Sequence, residues 1–480
     1  MHRYVIASLA AAFVALPFAA RTADVLPQPV AAALASQHIP TTSVAAYVHE
    51  VGAPRPVLAV HAGAPMNPAS TMKLVTTFAA LELLGPTYRW KTEAYVNGVL
   101  NGEALEGDLV LRGFGDPKLT VENFWLMLRA LRERGLRDIR GDLVLDRSWF
   151  DARDYDSSRF DNQPMRPYNV GPDALLVNFK AFRFNFVPDP ARGRVLVALE
   201  PRSSQLELSQ APKLADGPCG DWRGRLRADF RSNGSDATAA FGGAYAESCG
   251  EKSWNVALLS HPDFVYGVFR ALWEELGGTL RGRWREGAPS AGTKPIFVQE
   301  SPALAEIARD INKFSNNVMA RQVFLTLSAE LSSAPGRADR SAEVVRSWLA
   351  RKGIDARELV VENGSGLSRE DRISAGNLGQ LLLAAYASPF MPEFIASLPL
   401  VALDGTMRKR LKYEPVAGRA HIKTGSLADA RTLAGFVLER RGRRFVVAFF
   451  VNHANAAASQ PAQDAMLEWI YEHAGDKVFH

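Results

Sequence analysis

Residues 67–86 read NPASTMKLVTTFAALELLGP. Between the first proline and the closing Gly-Pro pair, apolar residues recur at helical spacing, which predicts a helix of about four turns over residues 71–84. Lys73 follows Ser70 by three residues, so both side chains lie on one helix face. At the helix N-terminus Ser70 would lie among unpaired backbone N–H groups, which can stabilise a developing negative charge. Taken alone, this tetrapeptide is more often an N-cap serine followed by a solvated lysine.

A second short motif, Ser315-Asn316-Asn317, falls between two helical patterns. These patterns predict helices over residues 304–312 and 316–331, so Ser315 lies at a helix junction, where side chains can project into a cleft. Serine and asparagine at such junctions are more often caps than catalytic groups. The motif therefore carries chemical meaning only together with others.

The third motif is Lys423-Thr424-Gly425, followed by Ser426, in a strand-like segment. Strand patterns at residues 433–438 and 444–451, separated by a turn at residues 441–443, predict adjacent antiparallel strands. Glycine in a strand allows another backbone to approach closely, so Gly425 is expected to leave room for a substrate chain.

In this order the motifs read S-x-x-K, S-x-N and K-T-G, the catalytic elements of penicillin-recognising serine acyl-transfer enzymes. The sequence contains one S-x-x-K and one K-T-G, which makes a chance occurrence of the set improbable. About 245 residues separate the first two motifs and 108 separate the last two. Because a compact β-lactamase would place the first two far closer together, the long gap predicts an insertion within one catalytic domain.

Further segments extend the pattern over nearly the whole chain. They are Gly113–Pro117, Cys219–Arg223, the glycine-rich loop Asn363–Arg369, Ser397–Leu400 and Asp404–Arg408. With them, the chain resembles the D-alanyl-D-alanine carboxypeptidase/endopeptidase family of class C low-molecular-mass penicillin-binding proteins. The middle position of S-x-N departs from that family, where aspartate is common; Ser315 and Asn317 are intact, so the departure is expected to tune the site rather than abolish it.

The resemblance implies an α/β (α+β) fold. A β-lactamase/transpeptidase-like domain, an antiparallel sheet flanked by helices, is expected at residues 24–90 and 290–480. The large insertion would form one or two smaller, mainly β subdomains: an inserted domain II at 91–170 and 255–289, and a nested subdomain III at 171–254. Inside the insertion, patterns predict strands at 92–96, 107–111 and 142–145, helices at 121–133 and 262–276, and a loop-rich zone at 201–250.

The N-terminus is typical of an export signal. A basic start precedes an apolar run over residues 4–20 that contains Pro17 and ends among alanines, which predicts a cleaved signal peptide at residues 1–23 and a periplasmic protein. An uncleaved anchor is the alternative. The later apolar run at residues 381–403 contains three prolines, which disfavours a membrane span, so no stable membrane anchor is expected.

Composition and cysteine content narrow the class of protein further. Apolar content of 47%, charged content of 22% and a net charge of +5 are those of a globular protein, with no pattern that predicts nucleic-acid binding. In an exported chain the pair Cys219 and Cys249 predicts a disulfide, worth roughly 3–4 kcal/mol on the loop-entropy model. No metal site or cofactor is expected, because two cysteines alone cannot hold tetrahedral zinc.

The resemblance implies roles for the reacting groups. Ser70 would attack the carbonyl between two terminal D-alanines, and Lys73, if neutral, would take its proton. A nearby Lys423 would favour neutral Lys73, because like charges depress a lysine pKa. Ser315 would pass a proton to the leaving nitrogen, while Asn317 would hold the substrate amide.

Substrate-binding roles are implied for the third motif and for one residue of the insertion. Lys423 and Thr424 would bind the terminal carboxylate, beside Gly425. Backbone N–H groups of Ser70 and Ser426 would form the oxyanion hole. Asp146 resembles family positions that face the active site and could meet the amino group of a diaminopimelate side chain; a strand-end aspartate beside packed aromatic rings is an equally good interpretation.

These residues predict a serine-type D-Ala-D-Ala carboxypeptidase and DD-endopeptidase that acts on peptidoglycan stem peptides, terminal or cross-linked, and is acylated by β-lactams. His421, two residues before Lys423, is a weaker candidate base. Two alternatives stay open: a β-lactamase, and a non-catalytic peptidoglycan-binding or sensor protein. A lasting adduct with benzylpenicillin that depends on Ser70 would separate them.

Overall fold

A computed structural model describes residues 23–474 except Arg153 and Gly234, so the predicted signal peptide lies outside the described residues apart from Ala23. Within this range no helix is long and apolar enough to cross a membrane. The strands are, in chain order, β1 (Val44–Glu50), β2 (Leu58–Val60), β3 (Pro65–Met66), β4 (Lys91–Asn101), β5 (Ala104–Gly113), β6 (Asp138–Ile139), β7 (Leu143–Asp146), β8 (Phe182–Asp189), β9 (Arg194–Glu200), β10 (Leu206–Gln210), β11 (Lys213–Ala215), β12 (Leu226–Ser232), β13 (Ala237–Ala246), β14 (Lys252–Val256), β15 (Thr279–Leu280), β16 (Trp284–Glu286), β17 (Phe297–Glu300), β18 (Ile373–Ser374), β19 (Ala420–Ser426), β20 (Ala430–Leu438) and β21 (Arg444–Asn452).

The α-helices lie between groups of these strands in a mixed α/β fold, and a short 3₁₀ turn at Ala69–Thr71 precedes the second helix. The helices are α1 (Gln28–Ser36), α2 (Met72–Leu84), α3 (Val121–Glu133), α4 (Trp222–Arg225), α5 (His261–Glu275), α6 (Leu304–Phe314), α7 (Asn317–Leu331), α8 (Ala338–Arg351), α9 (Ala375–Tyr386), α10 (Met391–Ser397) and α11 (Gln460–His473).

A five-stranded sheet in the order β19-β20-β21-β1-β2 is built from the two ends of the described chain, and each neighbouring pair is antiparallel. Helices α1 and α11 pack on one face, whereas α2 and α6–α10 contribute to the core on the other. Both faces are therefore covered, which explains why β21 is buried at every position except its two ends. This is the expected antiparallel sheet flanked by helices.

Helix α2 runs through the middle of the core against that sheet. Residues 72–81 are all buried, because apolar side chains surround the helix on every side. The predicted helix over residues 71–84 is confirmed, and Gly85, with φ +86°, ends it. A helix enclosed in this way holds its N-terminus in a fixed position, and the 3₁₀ turn that carries Ser70 leads directly into it.

The first sheet of the insertion has the order β15-β6-β5-β4-β17, with β7 and β16 joined to it. The predicted helix over residues 121–133 coincides with α3, and the predicted strands near 92–96, 107–111 and 142–145 coincide with β4, β5 and β7. Strand β17, beyond the predicted end of the insertion at residue 289, pairs with β4. The domain boundaries stay a prediction, and this pairing favours a boundary nearer residue 300.

The second sheet of the insertion has the order β10-β13-β11-β9-β8-β14, with β12 beside β13. The expectation of a loop-rich zone at residues 201–250 was wrong in part, because β10–β13 lie inside it. β10 and β11 are only five and three residues long, and the proline, glycine and serine residues in the connections between the strands dominate a sequence window over this zone. The predicted disulfide between Cys219 and Cys249 is present, and one apolar cluster spans both sheets of the insertion.

Candidate active site

Ser70 lies on the 3₁₀ turn immediately before α2. Asn67 fixes the entry to this turn: its side-chain oxygen accepts a hydrogen bond from Ala69 N at 2.9 Å. Asn452 at the end of β21 holds Asn67 in turn, since the Asn67 backbone N–H donates to Asn452 Oδ1 (2.7 Å) and Asn452 Nδ2 donates to Asn67 O (3.1 Å). The nucleophile candidate is thereby tied to the central sheet as well as to the helix.

Lys73 is fully buried one turn after Ser70. Its Nζ donates to Ser70 Oγ (3.0 Å), to Asn317 Oδ1 (2.6 Å) and to the carbonyl oxygen of Ser365 (2.5 Å). Burial lowers the pKa of Lys73 well below its usual value, and the positive charges of Lys423 and Arg321 lower it further. A lysine whose pKa is lowered in this way and that is hydrogen-bonded to a serine hydroxyl can, in its neutral form, accept the serine proton as a general base.

The second motif occupies the junction between α6 and α7. Ser315 adopts a left-handed conformation, φ +56°, which turns the chain between the two helices. Asn316 caps α7, because its side-chain oxygen accepts from Met319 N at 3.0 Å. Asn317 is the first helical residue and contacts Lys73. The departure at Asn316 therefore lies at a capping position, where aspartate and asparagine serve equally well.

Lys423 is the second fully buried lysine of the site. Its Nζ donates to Ser315 Oγ at 2.8 Å and to the carbonyl oxygen of Thr424 at 2.6 Å. Burial lowers its pKa to about 7. A hydrogen bond of 2.9 Å joins the hydroxyls of Thr424 and Thr406, so the side chain of Thr424 is oriented from the loop that precedes β19.

Gly425 is required by the packing of β19 against the Ser70 turn. A Cβ there would lie 2.1 Å from Thr432 Oγ1, 2.8 Å from Pro68 O and 2.9 Å from Ala69 Cβ. The atoms that come close to Gly425 on the side where a Cβ would lie are therefore those of the protein itself. The expected contact between Gly425 and a substrate chain stays a prediction. Ser426 ends the strand and is exposed, one residue beyond.

The glycine-rich loop is a part of the site to which the sequence assigned no role. It contacts the nucleophile turn and α2 at successive points: Thr76 Oγ1 donates to Gly364 O (2.7 Å), Lys73 donates to Ser365 O, and Asn67 Nδ2 donates to Ser368 O (2.9 Å). A Cβ at Gly366 would lie 1.9 Å from Ala69 O. In the sequence, the glycines that follow Asn363 indicate a tight turn. A tight turn does not reveal which other parts of the chain it contacts.

Hydrogen bonds gather the five predicted catalytic residues into two groups, Lys73 with Ser70 and Asn317, and Lys423 with Ser315. The two groups are close enough for the charge of Lys423 to lower the pKa of Lys73. His421 on the same strand is half-buried, and burial together with the charges of Lys313 and Arg444 lowers its pKa.

Asp146 is placed differently from the other predicted site residues. It is 3% exposed, and its Oδ1 accepts hydrogen bonds from the backbone N–H (3.0 Å) and hydroxyl (2.6 Å) of Ser148. Its other oxygen pairs with Arg112 Nε at 3.3 Å. These contacts favour the second interpretation given above, a strand-end aspartate beside packed aromatic residues.

A cavity of about 800 Å³ adjoins the site between residues 151–172 of the insertion, α7 and the glycine-rich loop. Its lining combines aromatic, acidic and basic side chains, among them Tyr155, Phe160, Arg321, Glu362, Leu367 and Arg369. Arg321 is 2% exposed; its guanidinium donates to the carbonyl oxygens of Tyr168 (3.0 Å) and Val170 (2.7 Å), which fixes the insertion loop to α7.

A central antiparallel sheet flanked by helices, with a serine immediately before the enclosed helix and a buried lysine on its first turn, defines the class of penicillin-recognising serine acyl-transfer enzymes. The chain belongs to the D-Ala-D-Ala carboxypeptidase 3 (S13) family, whose sequence model matches residues 26–473. It is accordingly an enzyme of the serine-type D-Ala-D-Ala carboxypeptidase kind.

Two relatives illustrate the distance within the family. The D-alanyl-D-alanine carboxypeptidase of Actinomadura sp. (strain R39) is 28% identical over 434 residues, which cover 87% of this chain and 79% of the relative. The D-alanyl-D-alanine carboxypeptidase DacB of Haemophilus influenzae is 23% identical over 81% of this chain and 80% of its own. The crystal structure of penicillin binding protein 4 (dacB) from Haemophilus influenzae has a TM-score of 0.77 at 21% identity, covering 92% of this chain and 99% of that one, which supports the fold.

Proposed function

We propose that the protein cleaves the terminal peptide bond of peptidoglycan stem peptides ending in D-Ala-D-Ala, through an acyl-enzyme on Ser70. The observation that carries this proposal is the pair of serine–lysine contacts, Lys73 with Ser70 and Lys423 with Ser315, in which both lysines are fully buried. Burial lowers the pKa of both lysines, well below the usual value for Lys73 and to about 7 for Lys423, so Lys423 keeps its positive charge up to about neutral pH.

Acylation begins when Ser70 Oγ attacks the carbonyl carbon while Lys73 Nζ, at 3.0 Å, takes the hydroxyl proton. The oxyanion that forms is held by the backbone N–H groups of Ser70, at the start of the helix, and of Ser426. Donors of this kind commonly contribute about 3–4 kcal/mol to transition-state stabilisation.

The C–N bond then breaks, and Ser315 donates its hydroxyl proton to the departing D-alanine nitrogen. The proton held by Lys73 returns to Ser315 across the cleft, so no charge is left behind. Lys423 orients Ser315 through the 2.8 Å hydrogen bond and supplies positive charge near the terminal carboxylate. The hydroxyl of Thr424 adds a hydrogen bond to that carboxylate.

Water completes the cycle. It attacks the ester carbon and gives a proton to Lys73, and Lys73 passes that proton to the Ser70 oxygen as the C–O bond breaks and the shortened peptide departs. Asn317 accepts a hydrogen bond from Lys73 through its side-chain oxygen, and its Nδ2 donates one N–H to Tyr168 O at 3.4 Å. The second N–H on Nδ2 would hold the substrate carbonyl during both steps. A cross-linked peptide presents the same bond type, so we propose DD-endopeptidase activity alongside carboxypeptidase activity.

The neighbouring cavity offers a place for the rest of the stem peptide. Glu362 and Arg369 line it together with the ring of Phe160. The Arg369 guanidinium lies over that ring in a cation–π contact, 5.2 Å from its centroid. Such a mixed lining suits a side chain that ends in both an amino group and a carboxylate, such as diaminopimelate. We therefore favour this cavity over Asp146 for side-chain recognition.

β-Lactam recognition follows from the same geometry, since an activated lactam carbonyl would meet Ser70 as the peptide does. A solved structure of penicillin binding protein 4 from Haemophilus influenzae, with a TM-score of 0.72 to this chain, is described as complexed with a novel β-lactam. We propose that this chain forms a corresponding covalent adduct, and that the mature enzyme acts in the periplasm, where its substrate lies.

The test is intact-mass spectrometry of the purified protein with benzylpenicillin, together with Ser70→Ala, while free drug is followed in parallel. A long-lived one-to-one adduct that is lost in the variant is the expected result. Drug consumed without a lasting adduct would replace the proposal with a β-lactamase. No adduct and no consumption would favour a non-catalytic peptidoglycan-binding protein.

A further inference from the structure

Asp371 is a buried carboxylate at the base of the glycine-rich loop. It is fully buried, and its Oδ1 accepts a hydrogen bond of 2.8 Å from Glu362 N, which joins the two ends of the loop. Ser368 Oγ accepts from Asp371 N at 3.2 Å and from Glu370 N at 3.0 Å. The second carboxylate oxygen, Oδ2, has no hydrogen-bond partner among the described residues. An unpaired buried carboxylate oxygen is costly, so its retention calls for an explanation.

The loop that Asp371 closes is the one that holds Lys73. Between its two ends, Ser365 O accepts from Lys73 and Gly364 O accepts from Thr76. The carboxylate therefore fixes the separation of the loop ends while the tip of the loop lies against the general base. A change at the base of the loop is transmitted to the Ser365 carbonyl through a few residues of rigid backbone.

Charge is the second link between Asp371 and Lys73. The charged groups that act on Lys73 are Lys423 from β19, Arg321 from α7 and Asp371 from the loop, and Asp371 alone among them favours the protonated lysine. The charged groups that act on Asp371 are Glu362, on its own loop, and Lys73. Asp371 thus offsets two cations that would otherwise act on Lys73 without opposition.

We propose that Asp371 is a positioning residue for Lys73: it closes the glycine-rich loop and, through its charge, sets the pH below which Lys73 is protonated and acylation stops. The proposal rests on the proposed function, in which Lys73 accepts the Ser70 proton. The two titrations are coupled. A proton on Asp371 favours the neutral form of Lys73, and a proton on Lys73 favours the ionised form of Asp371.

The direction of the effect follows from this coupling. Burial raises the pKa of Asp371 to about 7, so the carboxylate is ionised in the neutral and alkaline range. Its removal in Asp371→Asn leaves Lys73 facing Lys423 and Arg321 alone, so Lys73 stays neutral to lower pH. Because one opposite charge shifts a pKa by roughly 1 unit or more, the acidic limb of acylation should move down by up to roughly 1 pH unit, and only over the pH range above about 7 in which Asp371 is ionised.

The experiment measures the second-order rate constant for acylation by a chromogenic cephalosporin against pH. Asp116→Asn is the matched control: Asp116 is also a buried aspartate with a pKa raised to about 7 and a backbone N–H on its Oδ1, but it lies in the insertion. The expected result is an acidic limb that is displaced in Asp371→Asn and unchanged in Asp116→Asn. A uniform loss of rate at every pH, or superimposable profiles, would overturn the proposal.

Because the effect of each group on the pKa of the other is mutual, the pKa of the Asp371 carboxyl can be measured instead. This second measurement does not require the Asp371 variant to fold. In protein carrying Asp116→Asn and ¹³C-labelled aspartate, the carboxyl that titrates near pH 7 belongs to Asp371. Lys73→Met should raise that carboxyl pKa by the amount that Asp371→Asn lowers the acidic limb, because coupling between two sites is mutual. An unchanged carboxyl titration would refute the coupling.

The two proposals fail separately. If the wild-type protein forms no acyl adduct, the proposed function is lost, yet the carboxyl titration still decides whether Asp371 and Lys73 interact. If acylation occurs with an acidic limb that is indifferent to Asp371, only the inference about Asp371 is lost.

Discussion

Replacing Gly366 by alanine tests whether the glycine-rich loop positions the nucleophile. Gly366 has φ +74°, and an added Cβ would lie 1.9 Å from Ala69 O and 3.0 Å from the Cα of Ser70. Both neighbours are backbone atoms on the nucleophile turn, so no flexible side chain can yield. Ordinary contact begins at 3.4 Å, and the loop and the turn must therefore separate by roughly 1.5 Å.

The size of the effect follows from what that separation breaks. A left-handed conformation costs alanine about 1–2 kcal/mol. The three hydrogen bonds that hold the loop to Asn67, Lys73 and Thr76 contribute about 1 kcal/mol each. Gly366→Ala should thus lower the free energy of unfolding by about 4–5 kcal/mol. Acylation should fall by roughly 100-fold or more, as expected for a displacement of about 1 Å at a reacting group.

Gly353→Ala is the matched control for this prediction. Gly353 also has φ +74°, but nothing lies within 4 Å of its Cβ position, so it carries the conformational cost alone. Urea denaturation measures stability, and the rate of adduct formation with benzylpenicillin measures acylation. Equal stability losses in the two variants, or a Gly366→Ala enzyme that is acylated at the wild-type rate, would refute a positioning role for the loop.

Three further predictions concern other parts of the molecule. The value of kcat/KM for hydrolysis of D-Ala-D-Ala peptides should fall above pH 7, because Lys423 of the free enzyme loses its proton at about pH 7. With that proton it loses the charge that attracts the substrate carboxylate. A profile of kcat/KM that stays level to pH 9 would contradict this. Replacing Cys219 and Cys249 together by serine should lower the free energy of unfolding by roughly 3–4 kcal/mol in urea while acylation is retained; loss of acylation in a folded variant would show that the second inserted sheet supports the site. Asp146→Asn should cost about 1 kcal/mol through weakened pairing with Arg112 and leave the discrimination between amidated and free diaminopimelate peptides unchanged; altered discrimination would restore the substrate role for Asp146.

Local patterns in the chain were sufficient for the elements that bear the motifs. The helix after Ser70, the helix at residues 121–133 and the strand that carries Lys423 were all predictable, because periodicity and end signals depend on neighbours within a few turns. The same order of motifs also pointed to the class of enzyme. Where local signals were weak, as in the short strands of residues 206–246, the prediction was wrong in part.

The amino-acid sequence by itself determined which residues are available for the chemistry and on which elements they lie. Only the tertiary structure decided the burial and the hydrogen-bond partners of these residues. Two of the partners of Lys73 lie 244 and 292 positions away in the chain. The contact between Lys423 and Ser315 spans 108 residues. Burial, charge and hydrogen bonding act through space. The lowered pKa of Lys73, the contacts of the glycine-rich loop and the pairing of Asp146 with Ser148 and Arg112 therefore follow from packing rather than from local pattern.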